Sequence, residues 1–181
     1  MTRIAILKPD EMNDEQRAVI EASKANGKPY GGPFWAYIRN PKLMQSLQNT
    51  GDCIADSTLS AREQQIVVLT VARFWNAKYP WAAQCRNGLK IGLKQEEIDA
   101  INARAALPTT DKRELLAHQI ANELLTDKKL SDATYAAAEA SFSTEELVAL
   151  VARVGSFSMT CCTANAFDIT PADDAPARLM A

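Results

Sequence analysis

The chain has 181 residues, 47% of them hydrophobic and 23% charged, with a formal net charge of −2. That length favours a single domain, residues 1–181, with a real core, and the composition is that of a globular protein rather than a disordered one. No basic block points to nucleic acid or to an anionic membrane surface, and no stretch reads as a secretory leader or a bilayer-spanning run, so neither partner is expected and a cytoplasmic address is.

In chain order, residues 10–25 read as an N-terminal helix. The run Asn26-Gly-Lys-Pro-Tyr-Gly-Gly-Pro33 is the one strong loop, punctuated by Gly and Pro. Pro33 suits the first turn of a short helix ending near Asn40, and Pro41 opens another running to about Ile54. Ser60-Ala-Arg-Glu63 is a capping box: the Ser oxygen accepts an otherwise orphan backbone N–H and the Glu reaches back to the cap. The helix it opens is apolar nearly all round from Ile66 to Ala72, the pattern of a helix at the centre of a domain. Tyr79-Pro80 is expected to end that path, with Pro80 as the first residue of the next helix, which stops at Gly92.

A short helix is expected from Gln95 to Ala105, and an amphipathic one from Asp111 to Leu125 with Leu116, Ala117, Ile120, Ala121 and Leu124 on its apolar face. His118 lies about 200° round from Leu116 and is read as solvated. Ser131 caps a helix through Ala140, and Ser143-Thr-Glu-Glu146 is a second capping box opening a long apolar helix through Phe167. The tail 170–181 is rich in Pro, Ala and Asp and is expected to fray. No alternating segment is long enough for a sheet, so the fold class is all-α with its core at about 30–170. Cys53, Cys85, Cys161 and Cys162 contain no C-x-x-C pair, and one histidine is too few to complete a zinc site with them.

Several stretches then line up in order. They are Gly32-Pro-Phe34 with Asn40-Pro41; Leu59-Ser-Ala-Arg-Glu63, Val67 to Ala72, Asn76-Ala-Lys-Tyr79 and Trp81; Gly92-Leu93 with Glu96-Glu97-Ile98; and Leu130-Ser-Asp132, Glu145-Glu146-Leu147 and Asn165-Ala-Phe167. As an ordered set, over about residues 30–170, they resemble the carboxymuconolactone decarboxylase superfamily, which also contains the alkylhydroperoxidase D proteins. The resemblance implies a compact helical homo-oligomer without metal or organic cofactor, acting on a small molecule. It implies one of two chemistries: decarboxylation of a small dicarboxylic lactone, a lyase reaction run by proton transfer, or peroxiredoxin-type reduction of peroxide by a C-x-x-C pair.

Aligned on Tyr79 and Trp81, the resemblance carries the family's buried Glu onto Gln65, its His onto Gln84, and its two peroxidatic cysteines onto Ala77 and Pro80. A thiol peroxidase needs a thiolate and a resolving thiol, and Ala77 and Pro80 supply neither. Glutamine exchanges no proton near neutral pH, so chemistry that relied on those two positions forfeits about 10²–10⁴ in rate. Gln65 and Gln84 either line a polar, uncharged pocket or simply hydrogen-bond each other.

Glu63 is a displaced base or, preferably, the cap residue its position explains. Cys85 is a lone reactive thiol or, preferably, a small buried hydrophobe. Arg73 ends an apolar run, where it binds a substrate carboxylate, pairs with an acid of a neighbouring subunit, or points to solvent. Tyr79, Trp81, Phe34 and Trp35 wall a pocket or belong to core or subunit contacts. Three functions follow: a carboxymuconolactone decarboxylase-like enzyme, an alkylhydroperoxidase-like oxidoreductase, or a non-catalytic small-molecule-binding scaffold. The first predicts a cavity lined by Gln65 and Gln84.

Overall fold

The computed structural model describes residues 2–172 and 178–180. Among the described residues the regular structure is helical throughout. A 3-10 turn, Pro9–Glu11, precedes α1 (Asp14–Ala25), α2 (Phe34–Tyr37), α3 (Pro41–Ala55), α4 (Ala61–Phe74), α5 (Lys78–Lys90), α6 (Gln95–Ala103), α7 (Lys112–Thr126), α8 (Asp132–Ser141) and α9 (Thr144–Ala166).

The organising element is α4. Its capping box forms as expected, with Ser60 N donating to Glu63 Oε2 at 2.7 Å and Glu63 N donating to Ser60 Oγ at 3.1 Å. Every residue from Gln65 to Arg73 is buried, because α5, α7 and α9 pack round it. Ile66 and Leu69 of α4, Ile120 of α7 and Leu150 of α9 lose all contact with solvent, each contributing about 2 kcal/mol of apolar burial. A smaller cluster of Val19, Tyr37, Ile38 and Met44 holds the N-terminal helices to one another.

At one end of the bundle the first turns of four helices are joined by two arginines. Arg62 Nη2 donates to Glu97 at 2.7 Å and Arg62 Nε to Glu114 at 2.5 Å, while Arg113 Nε donates to Glu63 at 2.6 Å and Arg113 Nη2 to Glu146 at 2.8 Å. All four carboxylates are buried, and three of them are the reciprocal residues of capping boxes. Carboxylates in a helix's first turn also answer its N-terminal dipole.

Four expectations need correction. The first long helix begins at Asp14 rather than near Asp10, because Asn13 caps it and accepts from Gln16 N at 2.8 Å. The break after α4 falls at Asn76, which takes a left-handed φ of 47°, a conformation that asparagine tolerates better than most residues. Pro80 therefore sits at the third position of α5, where a missing N–H leaves no helical bond unmade. By length and composition α9 is apolar enough to cross a membrane, contrary to the sequence reading, although it packs against α3, α4, α5, α7 and α8. The expected fraying of the tail fails at 178–180, where Asn102 Nδ2 donates to Arg178 O at 2.9 Å and Met180 N to Asn102 Oδ1 at 3.0 Å; residues 173–177 and 181 lie outside the described residues.

Candidate functional site

A cavity of about 510 Å³ opens between the Gly/Pro loop and α2, α3, α5 and α9. Phe34 and Tyr37 wall one side, Gln48 the floor of α3, Tyr79, Gln84 and Asn87 the side of α5, and Arg153, Phe157 and Thr160 the side of α9. Gly32 makes the first wall possible. Its φ of +60° suits glycine, and a Cβ there would lie 2.1 Å from Tyr79 Cε1, so only a bare backbone lets the phenol ring lie against the loop. Gln48 fastens the other side of the loop, its Nε2 donating to Pro29 O and to Ser23 Oγ, both at 2.8 Å.

The two amides meet, as the sequence alternatives allowed, but only one reaches the cavity. Gln65 Nε2 donates to the backbone O of Gln84 at 2.8 Å and to Gln84 Oε1 at 3.0 Å. Asn87 Nδ2 donates to the same Oε1 at 3.3 Å. The backbone oxygen can only accept, which fixes Gln65 as the donor and turns the Gln84 amide so that its oxygen points back to Gln65. The Gln84 NH₂ makes no hydrogen bond to any described residue and is left to donate into the cavity. Gln65 stands behind the wall and sets that orientation.

The sequence reading missed Arg153. Its Nη2 donates to Gln64 Oε1 at 2.5 Å, while its Nε is buried with no hydrogen-bond partner. No carboxylate pairs with it among the described residues, and burial pulls its guanidinium below the usual range. Asp52, at the same cavity, is held by Lys28. The phenols of Tyr37 and Tyr79 are both pushed up by burial, so each stays protonated as a donor; that of Tyr37 donates to Thr163 Oγ1 at 2.8 Å. The polar lining is therefore rich in donors and dominated by one cation.

Other expected site residues lie elsewhere. Glu63 is the cap and ion-pair residue described above, with no part in the cavity. Trp81 and Cys85 are core, at 1% and 2% exposure, and burial pushes the Cys85 thiol up to about 12. Trp35 packs edge-on against Tyr79, ring centres 5.9 Å apart, but faces a different groove beside Tyr30. Arg73 opens onto clefts on the side of α6 and α7. His118 is half-buried rather than solvated, its Nδ1 2.8 Å from Thr70 Oγ1, because α7 packs against α4 along more than its apolar stripe. All four cysteines are free.

Residues 41–123, the segment from α3 to α7 that carries Gln65 and Gln84, match the profile of the carboxymuconolactone decarboxylase family. The whole fold recurs in solved structures. An uncharacterized peroxidase-related protein from Silicibacter sp. TM1040 superposes with a TM-score of 0.79 at 17% identity, over 99% of this chain and 96% of that one. The matched segment thus resembles the carboxymuconolactone decarboxylase family, and the fold around it is shared with these structures.

A second relative by structure, an uncharacterized peroxidase-related protein with an alkylhydroperoxidase AhpD core from Ralstonia eutropha JMP134, gives a TM-score of 0.77 at 17% identity over 96% of this chain and 93% of that one. A protein of unknown function from Agrobacterium tumefaciens, linked to AhpD antioxidant defence, gives 0.69 at 15% identity over 76% of this chain and 97% of that one. At such identities these likenesses establish the fold and no activity. No curated protein matches the sequence.

Proposed function

We propose that this carboxymuconolactone decarboxylase-like protein receives a small carboxylated, lactone-like metabolite in the cavity and decarboxylates it without a cofactor. The observation that carries the reading is Arg153, a partly buried guanidinium whose Nε has no partner. A charged group held partly desolvated without an acid carries a cost, and a bound carboxylate offsets it by accepting from the guanidinium N–H groups that line the cavity. The Gln84 NH₂ supplies a further donor from the facing wall.

Loss of CO₂ from such an acid needs no general base. The C–C bond to the departing carboxylate breaks, its electron pair passes into the conjugated lactone carbonyl, and the resulting carbanion takes one proton. Arg153 holds a second carboxylate, the one retained, because fixing the departing group as an anion would stabilise the ground state rather than the transition state. Tyr79, kept protonated by burial, is the donor we assign for the final proton, which it regains from water. A peroxidase reading finds less support: no cysteine is among the cavity's lining residues, and burial raises the Cys85 and Cys161 thiols.

The test is a panel of γ-lactones bearing two carboxylates, with released CO₂ followed by ¹³C NMR on labelled acids. CO₂ release by the wild-type protein, reduced at least about 100-fold in Arg153→Met and absent for the ester at the retained carboxylate, is the expected result. Saturable binding of the acids with no CO₂ release would reduce the protein to a carrier or sensor of the same ligands. Equal binding of acids and neutral esters would remove the proposal altogether.

A further inference from the structure

The cavity does not account for the cations gathered on the far side of α4. Arg73 is 9% exposed. Its Nε donates to Asn102 O at 2.6 Å and its Nη1 to Asn76 Oδ1. The first bond answers the C-terminal carbonyls of α6, a sufficient reason for one cation there. It explains neither Nη2, which makes no bond to any described residue, nor the second arginine beside it. Arg104 ends α6 in the left-handed region, at φ 55°, and lies close enough to depress the Arg73 guanidinium, behind the larger effect of burial.

Two clefts, of about 290 and 420 Å³, share these two arginines. The first adds Thr70, His118 and Asn122, the second Asn76 and Lys78. No Asp or Glu is among the described lining residues of either, in a chain with 22 acidic residues against 20 basic ones. Like charges held together and partly desolvated repel, and no described acid lines either cleft to offset them.

We infer that the Arg73–Arg104 clefts form a second binding site, for a doubly charged oxyanion of the phosphate or sulfate type, separate from the cavity at Arg153. Two guanidiniums, the Lys78 ammonium and the Asn76 amide N–H groups can meet such a group from several directions, which suits a tetrahedral dianion better than a planar carboxylate. The sources of such a group are free inorganic phosphate and a phosphate monoester on a small metabolite.

A reporter is built in, because His118 is the chain's one histidine. Thr70 Oγ1 already donates to Ile66 O at 2.7 Å, so it accepts from His118 Nδ1, and His118 Nε2 accepts from Asn122 Nδ2 at 3.1 Å. The resting imidazole is thus neutral with its proton on Nδ1. Arg73 and Arg104 are the charged groups lining its cleft, so an anion between them must favour the imidazolium.

The experiment is an NMR titration of the imidazole with sulfate, at constant ionic strength set by chloride. A saturable shift and an upward move of the His118 titration, at least tenfold weaker in Arg104→Gln or Lys78→Gln and unchanged in Arg153→Met, is the expected result. Both weakened variants change exposed side chains, and their thermal melts show whether the fold is kept. Inorganic phosphate and glycerol phosphate follow: equal affinity assigns the free ion, and tighter monoester binding assigns a phosphorylated metabolite. A sulfate response unchanged in folded Arg104→Gln, or matched by chloride, overturns the inference.

Discussion

Arginines do opposite things at two places in this molecule. At the capped end, Arg62 and Arg113 each grip two buried glutamates, and those hydrogen bonds raise both guanidiniums above their usual range. Arg113 also lies over the Phe142 ring at 4.3 Å and donates to Ser141 O at 2.6 Å. In the cavity, Arg153 has one amide oxygen and no acid among the described residues, and burial lowers it. Under the proposed function, the cation left without a described acid beside the cavity is the one that meets the ligand. Direction of shift, set by partners rather than by burial alone, separates the two kinds of arginine.

Removing each cation in turn should separate the two kinds of arginine. Arg113→Ala strands Glu63 and Glu146 and is expected to cost about 3–5 kcal/mol in urea unfolding. Arg153→Met, which removes a desolvated charge, is expected to cost less than about 1 kcal/mol or to stabilise the fold. Equal losses would erase the distinction.

Acid provides a second probe of the capped end. The Arg113 hydrogen bonds, chiefly, hold Glu146 down at about 2 against an ordinary 4.5. A depressed folded value means stability that is fully present above 4.5 and lost as pH falls through the folded value, so the unfolding free energy should decline between pH 4.5 and 2. Glu146→Gln should flatten that decline by roughly 1–2 kcal/mol, read from urea melts across the range.

Within the cavity, Gly32→Ala must displace the Tyr79 ring and strain a left-handed backbone. A loss of about 1–2 kcal/mol in stability, with weakened ligand binding, is expected from melts and calorimetry. Gln65→Leu removes the donor that aims Gln84 and should cost about 1 kcal/mol while weakening carboxylate binding severalfold. The smallest effect is expected from Cys162→Ser, an exposed thiol: no measurable change in carboxylate binding or in CO₂ release. Peroxide turnover that depends on Cys162 would instead favour thiol chemistry.

What the sequence disclosed follows from how local each feature is. The boxes at Ser60 and Ser143 act within one turn and formed as read, and the all-round apolar run of α4 does sit at the centre. The meeting of Gln65 with Gln84 came from the family resemblance rather than from spacing. Its inner-versus-outer geometry was hidden, because a backbone carbonyl on α5 decides which amide faces the cavity.

Arg153 carried a signal that went unused: past its first turn it is the only charged residue of α9, the same argument applied to Arg73 in α4. His118 was misjudged for a related reason. A helical wheel assigns one buried stripe, whereas α7 contacts α4, α8 and α9 together. Long-range packing, not local pattern, settled both.

The most direct test of the account is the thermal shift produced by a carboxylated γ-lactone on wild type, Arg153→Met and Arg104→Gln, measured side by side at one ionic strength. Ligand-dependent stabilisation is expected in wild type and Arg104→Gln, and none in Arg153→Met. An undiminished shift in folded Arg153→Met would contradict this, and the unpaired guanidinium would then be no anchor at all.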